Sequence, residues 1–200
     1  MNSVRTTLVW AVLVVAIAVP IAAAAASPLL AWRSPVYIAA GFAGIIAMAL
    51  LLVQPLLIGG YLPGLPAPRG RRIHRVIGAG LVMAVAIHVV GLWITSPPDV
   101  IDALLFASPT PFSDWGVIAM WAVIGAAALA AFRRRFRLRV RTWRLAHTSL
   151  AAIIVVCSVV HALLIEGTME TLSKVALCAL VVLAVVKVGA DLRVWAIRRS

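Results

Sequence analysis

The chain has 200 residues, of which 64% are hydrophobic and 12% charged, about half the charge of an ordinary soluble domain. A mean hydropathy of +1.10 excludes a soluble globular fold, since no core of this size buries so much apolar surface, and the apolar runs approach the roughly 20 residues a helix needs to cross a bilayer. The net charge of +12 comes from basic residues clustered between those runs, a pattern of membrane topology rather than of nucleic-acid binding.

In chain order, the apolar runs predict an all-α bundle of six transmembrane helices, near residues 8–26, 37–58, 73–95, 115–132, 143–165 and 172–190, in a single domain over residues 1–200. Arg5 and the small residues at 22–27 also fit a secretory signal, but the apolar stretch is long for one, so a retained helix is expected. Pro20 and Pro55 predict kinks that neighbouring helices tolerate. Residues 96–114, with Pro97, Pro98, Pro109 and Pro111, form the longest loop and carry a short amphipathic segment at 100–107; the loop either covers a site or simply connects two spans. Neither G-x-G-x-x-G nor G-K-[ST] occurs, so no FAD or NAD(P) site is expected in this chain. Cys157 and Cys178 lie inside apolar runs without a C-x-x-C spacing and read as packing residues.

Arg69, Arg71, Arg72 and Arg75 fall between the second and third spans, and Arg133, Arg134, Arg135, Arg137, Arg139, Arg141 and Arg144 between the fourth and fifth. With Arg5, Lys187, Arg193, Arg198 and Arg199 they put sixteen of the 18 basic residues on one side, leaving Arg33 and Lys174 opposite. Asp99, Asp102, Asp114, Glu166 and Glu170, five of the 6 acidic residues, also fall opposite. Basic loops stay cytoplasmic, so both termini are expected there, in a plasma (bacterial inner) membrane.

All four histidines form two matched pairs: His74 and His88 in the third span, His147 and His161 in the fifth, each pair fourteen residues apart. Fourteen residues are two heptads and end about 40° short of whole turns, so both members of a pair share a face, about 21 Å apart along the axis. The two spans run in the same direction, which puts His74 level with His147 and His88 level with His161. Two facing imidazoles fill both axial positions of a haem iron, and Gly78, Ala84, Ala151, Cys157 and Ser158 leave room nearby for a flat macrocycle. A lone intramembrane histidine is usually a hydrogen-bonded neutral side chain; four in matched pairs favour metal ligation by His74, His88, His147 and His161. Two imidazoles make a poor cage for bare zinc or copper. Arg72, Arg75 and Arg144 stand within a turn of the inner histidines as candidate partners for haem propionates, or as topology signals at the lipid headgroups. Trp93 and Trp143 suit the interfacial aromatic belt.

The strings RRIHRVIGAGLVMAVAIHVVG at 71–91 and WRLAHTSLAAIIVVCSVVHALL at 143–164 resemble the ferric reductase-like transmembrane domain, the haem-bearing membrane part of ferric reductases, of NADPH oxidases and of the bacterial methionine sulfoxide reductase system. The resemblance implies two b-type haems, an inner one on His74 and His147 and an outer one on His88 and His161, carrying electrons from the cytoplasmic to the outer face. Reductases and oxidases of this family continue into flavin and nicotinamide domains, whereas this sequence ends at Ser200. The donor is therefore expected to be a cytoplasmic flavoprotein or a membrane quinol, and the acceptor a metal chelate or a redox protein at the outer face. No catalytic residue is expected. A haem membrane anchor of a quinol-linked periplasmic oxidoreductase, and a histidine-relay proton channel or transporter, are the alternative readings.

Overall fold

The computed structural model describes residues 3–197, and side chains as far as residue 191. Arg198 and Arg199, and the side chain of Arg193, which the charge pattern assigns to the basic side, lie outside what is described. The described residues form seven α-helices and one short 3-10 turn, with no strand: α1 (Ser3–Ala25), α2 (Pro35–Gly59), α3 (Ala67–Thr95), α4 (Pro97–Leu104), α5 (Pro111–Phe132), α6 (Val140–Leu164) and α7 (Thr171–Ile197). All but α4 are long and apolar enough to span a bilayer. The chain is a multi-pass, all-helical membrane protein.

The helix ends follow local chemistry. Ser34 Oγ accepts from Tyr37 N at 3.2 Å and Pro35 occupies the first position of α2, the side-chain cap and preset φ that favour helix initiation. Gly60, at φ 71°, ends that helix in the left-handed region that glycine enters without penalty. The third helix begins six residues ahead of the apolar run, at Ala67, because arginine is a good helix former and its head group can reach water beyond the hydrocarbon. Pro97 and Pro98 start α4 three residues before the expected amphipathic segment. Pro20 and Pro55 lie inside helices that continue past them.

The second helix is the centre of the bundle, buried along much of its length through Ala40, Ala43, Ala47, Ala49, Leu51 and Leu52; small residues let membrane helices approach closely. It packs most extensively along α3, while α5 packs along α6, giving two helical hairpins bridged by α7. Leu51, Leu81, Val123, Ile154 and Val181 join α2, α3, α5, α6 and α7 in one apolar cluster. The histidine-bearing helices α3 and α6 make little close backbone contact with each other. Arg33, Asp99, Glu166 and Lys174 gather at one end of the bundle, the acidic end; Arg5, the turn after α2 and Asp191 gather at the other, the basic end.

Candidate functional site

The histidines of α3 and α6 meet in two levels. The His74 and His147 rings have centres 6.3 Å apart with planes at 74°, and those of His88 and His161 are 6.4 Å apart at 83°. A direct hydrogen bond of about 2.9 Å between two ring nitrogens would bring the centres to about 5 Å. A metal holding a nitrogen on each side at about 2 Å, with each ring centre about 1.2 Å behind its nitrogen, separates them by about 6 Å. The observed spacing therefore fits a pair of ligands flanking one metal. Among the described residues no three His, Cys, Asp or Glu side chains come together, so each level offers two imidazoles and no cage for a bare ion.

At the acidic end both rings are held from behind. His88 Nδ1 donates to the Ala40 carbonyl on α2 and His161 Nδ1 to the Phe112 carbonyl on α5, each at 2.8 Å. That bond puts the ring proton on Nδ1 and leaves Nε2 with its lone pair, the tautomer a metal ligand requires. Four residues after each carbonyl comes a glycine that faces the ring. A Cβ on Gly44 would stand 3.1 Å from His88 Nδ1, and one on Gly116 would stand 2.8 Å from His161 Nδ1. Ala40 with Gly44 and Phe112 with Gly116 thus form the same cradle twice, one in each hairpin. A cavity of about 660 Å³ opens beside His88 and His161, within the size range of pockets that hold small-molecule cofactors. The loop at 96–110 lies over it, through Ser96, Asp99, Val100 and Thr110.

At the basic end the support is looser. His74 Nδ1 lies 3.4 Å from the Gln54 carbonyl. The Gln54 carboxamide also sits against the His74 ring and, with its oxygen turned to Gly78 N, accepts from it at 2.9 Å. His147 Nδ1 is buried and has no hydrogen-bond partner among the described residues, and the same holds for Trp143 Nε1. The His147 ring is instead held by stacking: Trp143, one turn earlier, lies 5.4 Å away at 12°, with the Arg133 guanidinium 4.3 Å over its ring. Arg72, Arg75 and Arg144 are exposed, and among the described residues none of them forms an ion pair.

Gly44, Gly116 and Gln54 escaped the sequence reading because they act from helices without histidines, and nothing in one sequence links residue 44 to residue 88. Trp143 stands four residues from His147, where one helical turn brings side chains together, but its position at a span boundary assigned it to the interfacial aromatic belt. The structure stacks it on His147, on the histidine-bearing face of α6.

Residues 40–158 match the family described as ferric reductase like transmembrane component. No curated protein and no solved structure matches the chain. The matched stretch runs from α2 into α6 and takes in both hairpins, the Gly44 and Gly116 cradles, and His74, His88 and His147, with His161 three residues beyond it. More than half of the chain lies within the match, and the histidines pair across the two hairpins it covers: this chain belongs to the ferric reductase-like transmembrane family, whose members generally bind haem.

Proposed function

We propose that the chain is a di-haem b-type membrane cytochrome that moves electrons from a donor at the basic, cytoplasmic end to an acceptor at the acidic, outer end. His74 and His147 ligate the inner haem, and His88 and His161 the outer one. The observation that carries this reading is the spacing of 6.3 and 6.4 Å between paired imidazoles, too wide for a direct histidine-to-histidine hydrogen bond and matched to two ligands of one iron. The same spacing weighs against a relay that passes protons straight from ring to ring.

Held by these imidazoles, haem would supply a one-electron iron couple suited to passing electrons rather than to binding substrate. The protein's own groups do the rest. Ala40 and Phe112 hold the outer imidazoles as Nδ1–H tautomers, Trp143 orients His147 by stacking, and the apolar walls of α2, α3, α5 and α6 keep bulk water from the site. Arg72, Arg75 and Arg144, within a turn of the inner pair, supply cations for carboxylates at the basic end. The donor is a flavoprotein docking on the arginine-rich cytoplasmic loops or a membrane quinol; the acceptor is a metal chelate or a redox protein, favoured if cationic by five acidic side chains at the outer end.

Vesicles test this. With NADH and a flavoprotein on the arginine-rich side, an impermeant ferric chelate on the other side should be reduced by the wild type and not by His88→Leu. Equal reduction by both would refute transmembrane electron transfer through this site.

A further inference from the structure

Of the 18 basic residues, only Arg33 and Lys174 depart from the charge asymmetry, and both line the cavity beside His88 and His161. Lys174, in the first turn of α7, is 7% exposed. Its ammonium donates to the Ile165 carbonyl at 2.7 Å, the free carbonyl at the end of α6, which uses one of its three donors. The Arg33 guanidinium lies 4.8 Å over the Tyr37 ring, with no hydrogen bond from its side chain among the described residues. Asp99 and Glu166 line the same cavity, but neither pairs with these cations: the one ion pair among the described residues joins Lys187 and Asp191. Asp99 instead accepts from Ser96 Oγ at 2.6 Å. A buried lysine without an anion is costly, which makes the cavity it lines a candidate anion site.

Resting on the outer haem assignment above, we propose that Lys174 and Arg33 form the carboxylate-binding end of the outer cavity, holding the two propionates of the macrocycle ligated by His88 and His161. The chemistry selects this ligand class: two cations with unspent donors, on α7 and just ahead of α2, lie in the cavity that the two imidazoles enter. Carboxylates there satisfy the ammonium's remaining donors and give the guanidinium a planar, two-pronged partner. The arrangement also places these carboxylates toward the acidic end, where Asp99 and Glu166 add negative charge. The cations then offset repulsion that would otherwise weaken binding.

The test uses the full chain in detergent, in a His147→Leu background that keeps only the outer ligand pair, reconstituted with haem b or with its dimethyl ester, which lacks the negative charges. The expected result is that haem b is retained at least about ten-fold better than the ester, consistent with loss of a charge-assisted contact. That preference should fall toward unity in Lys174→Met with Arg33→Met and return in Lys174→Arg. Should Lys174→Met fail to fold, Arg33→Met on its exposed site and the acid-against-ester comparison in the unsubstituted cavity still decide. Equal retention of acid and ester without either substitution overturns the inference while leaving haem ligation intact, as does a preference that survives the double substitution. Retention of neither compound overturns the haem reading itself.

Discussion

The two histidine levels are built from the same helices yet held in different ways. At the outer level each imidazole is fixed by a carbonyl at 2.8 Å and backed by a glycine, so ring position and tautomer are set by the backbones of α2 and α5. At the inner level one ring has a long contact of 3.4 Å and the other has stacking alone. Backbone carbonyls are rigid partners, since moving one means moving a helix; a stacked indole can slide. The His88 and His161 level is thus pre-organised by helix backbones, while the His74 and His147 level depends on side chains near the basic mouth of the bundle, where the proposed donor would dock.

Loss of a histidine should affect the two levels most. Replacing His88 or His161 by Leu should each remove the same outer haem, and replacing His74 or His147 the same inner one. Doubling within a level should then cost little more than a single change, whereas a double change across levels removes nearly all bound haem, the non-additivity of residues that share a site. Haem per polypeptide, with redox titration to separate the centres, measures this. Joint behaviour of His74 and His88 as one site would contradict the pairing.

Next in size is crowding of the cradles. Gly116→Ala places a methyl 2.8 Å from His161 Nδ1, and Gly44→Ala one at 3.1 Å from His88 Nδ1; overpacking of this kind costs about 1–3 kcal/mol. Outer haem should fall by roughly ten-fold or more in affinity for Gly116→Ala, less for Gly44→Ala, and inner haem should be unchanged in both. Spectra resolved by potential would show it, and equal loss from both levels would mean that the glycines serve general packing.

A smaller effect is expected at the inner level. Trp143→Leu removes a stacked pair worth about 0.5–1.5 kcal/mol, so the inner haem should exchange several-fold faster while the outer one keeps its rate. The smallest lies away from both. Glu170 caps α7, its carboxylate accepting from Leu172 N and Ser173 N at 2.7 Å. The backbone N–H groups of Ser173 and Leu172 that it accepts from hold its carboxyl below the ordinary value of 4.5. A depressed carboxyl stabilises the fold fully above the unfolded value and loses that contribution as pH falls through the folded one. Thermal stability should therefore decline slightly more steeply below about pH 4.5 in the wild type than in Glu170→Gln, a difference that melting curves across that range would register.

Much of this was legible beforehand for identifiable reasons. The bilayer demands long apolar helices, so six spans could be read from run length, and their ends moved by only a few residues where arginines and prolines extended them. The fourteen-residue spacing fixed which histidines share a face, and span direction fixed which lie level. The cradles were not legible, because a carbonyl donates no sequence signal and a glycine in an alanine-rich helix looks like any small residue. Lys174 appeared only as an exception to the charge pattern; its burial comes from α7 packing against α6, a tertiary fact. Gln54 behaves likewise, as a polar residue on an apolar helix whose use became plain only beside His74.

If the four histidines form two ligand pairs, haem content and the visible spectrum of the purified chain register it at once. Two haems per polypeptide, both six-coordinate with imidazole on each side, and none after all four histidines are replaced by Leu, is the predicted result. A colourless wild-type protein, or haem retained in full by the four-fold variant, would contradict it.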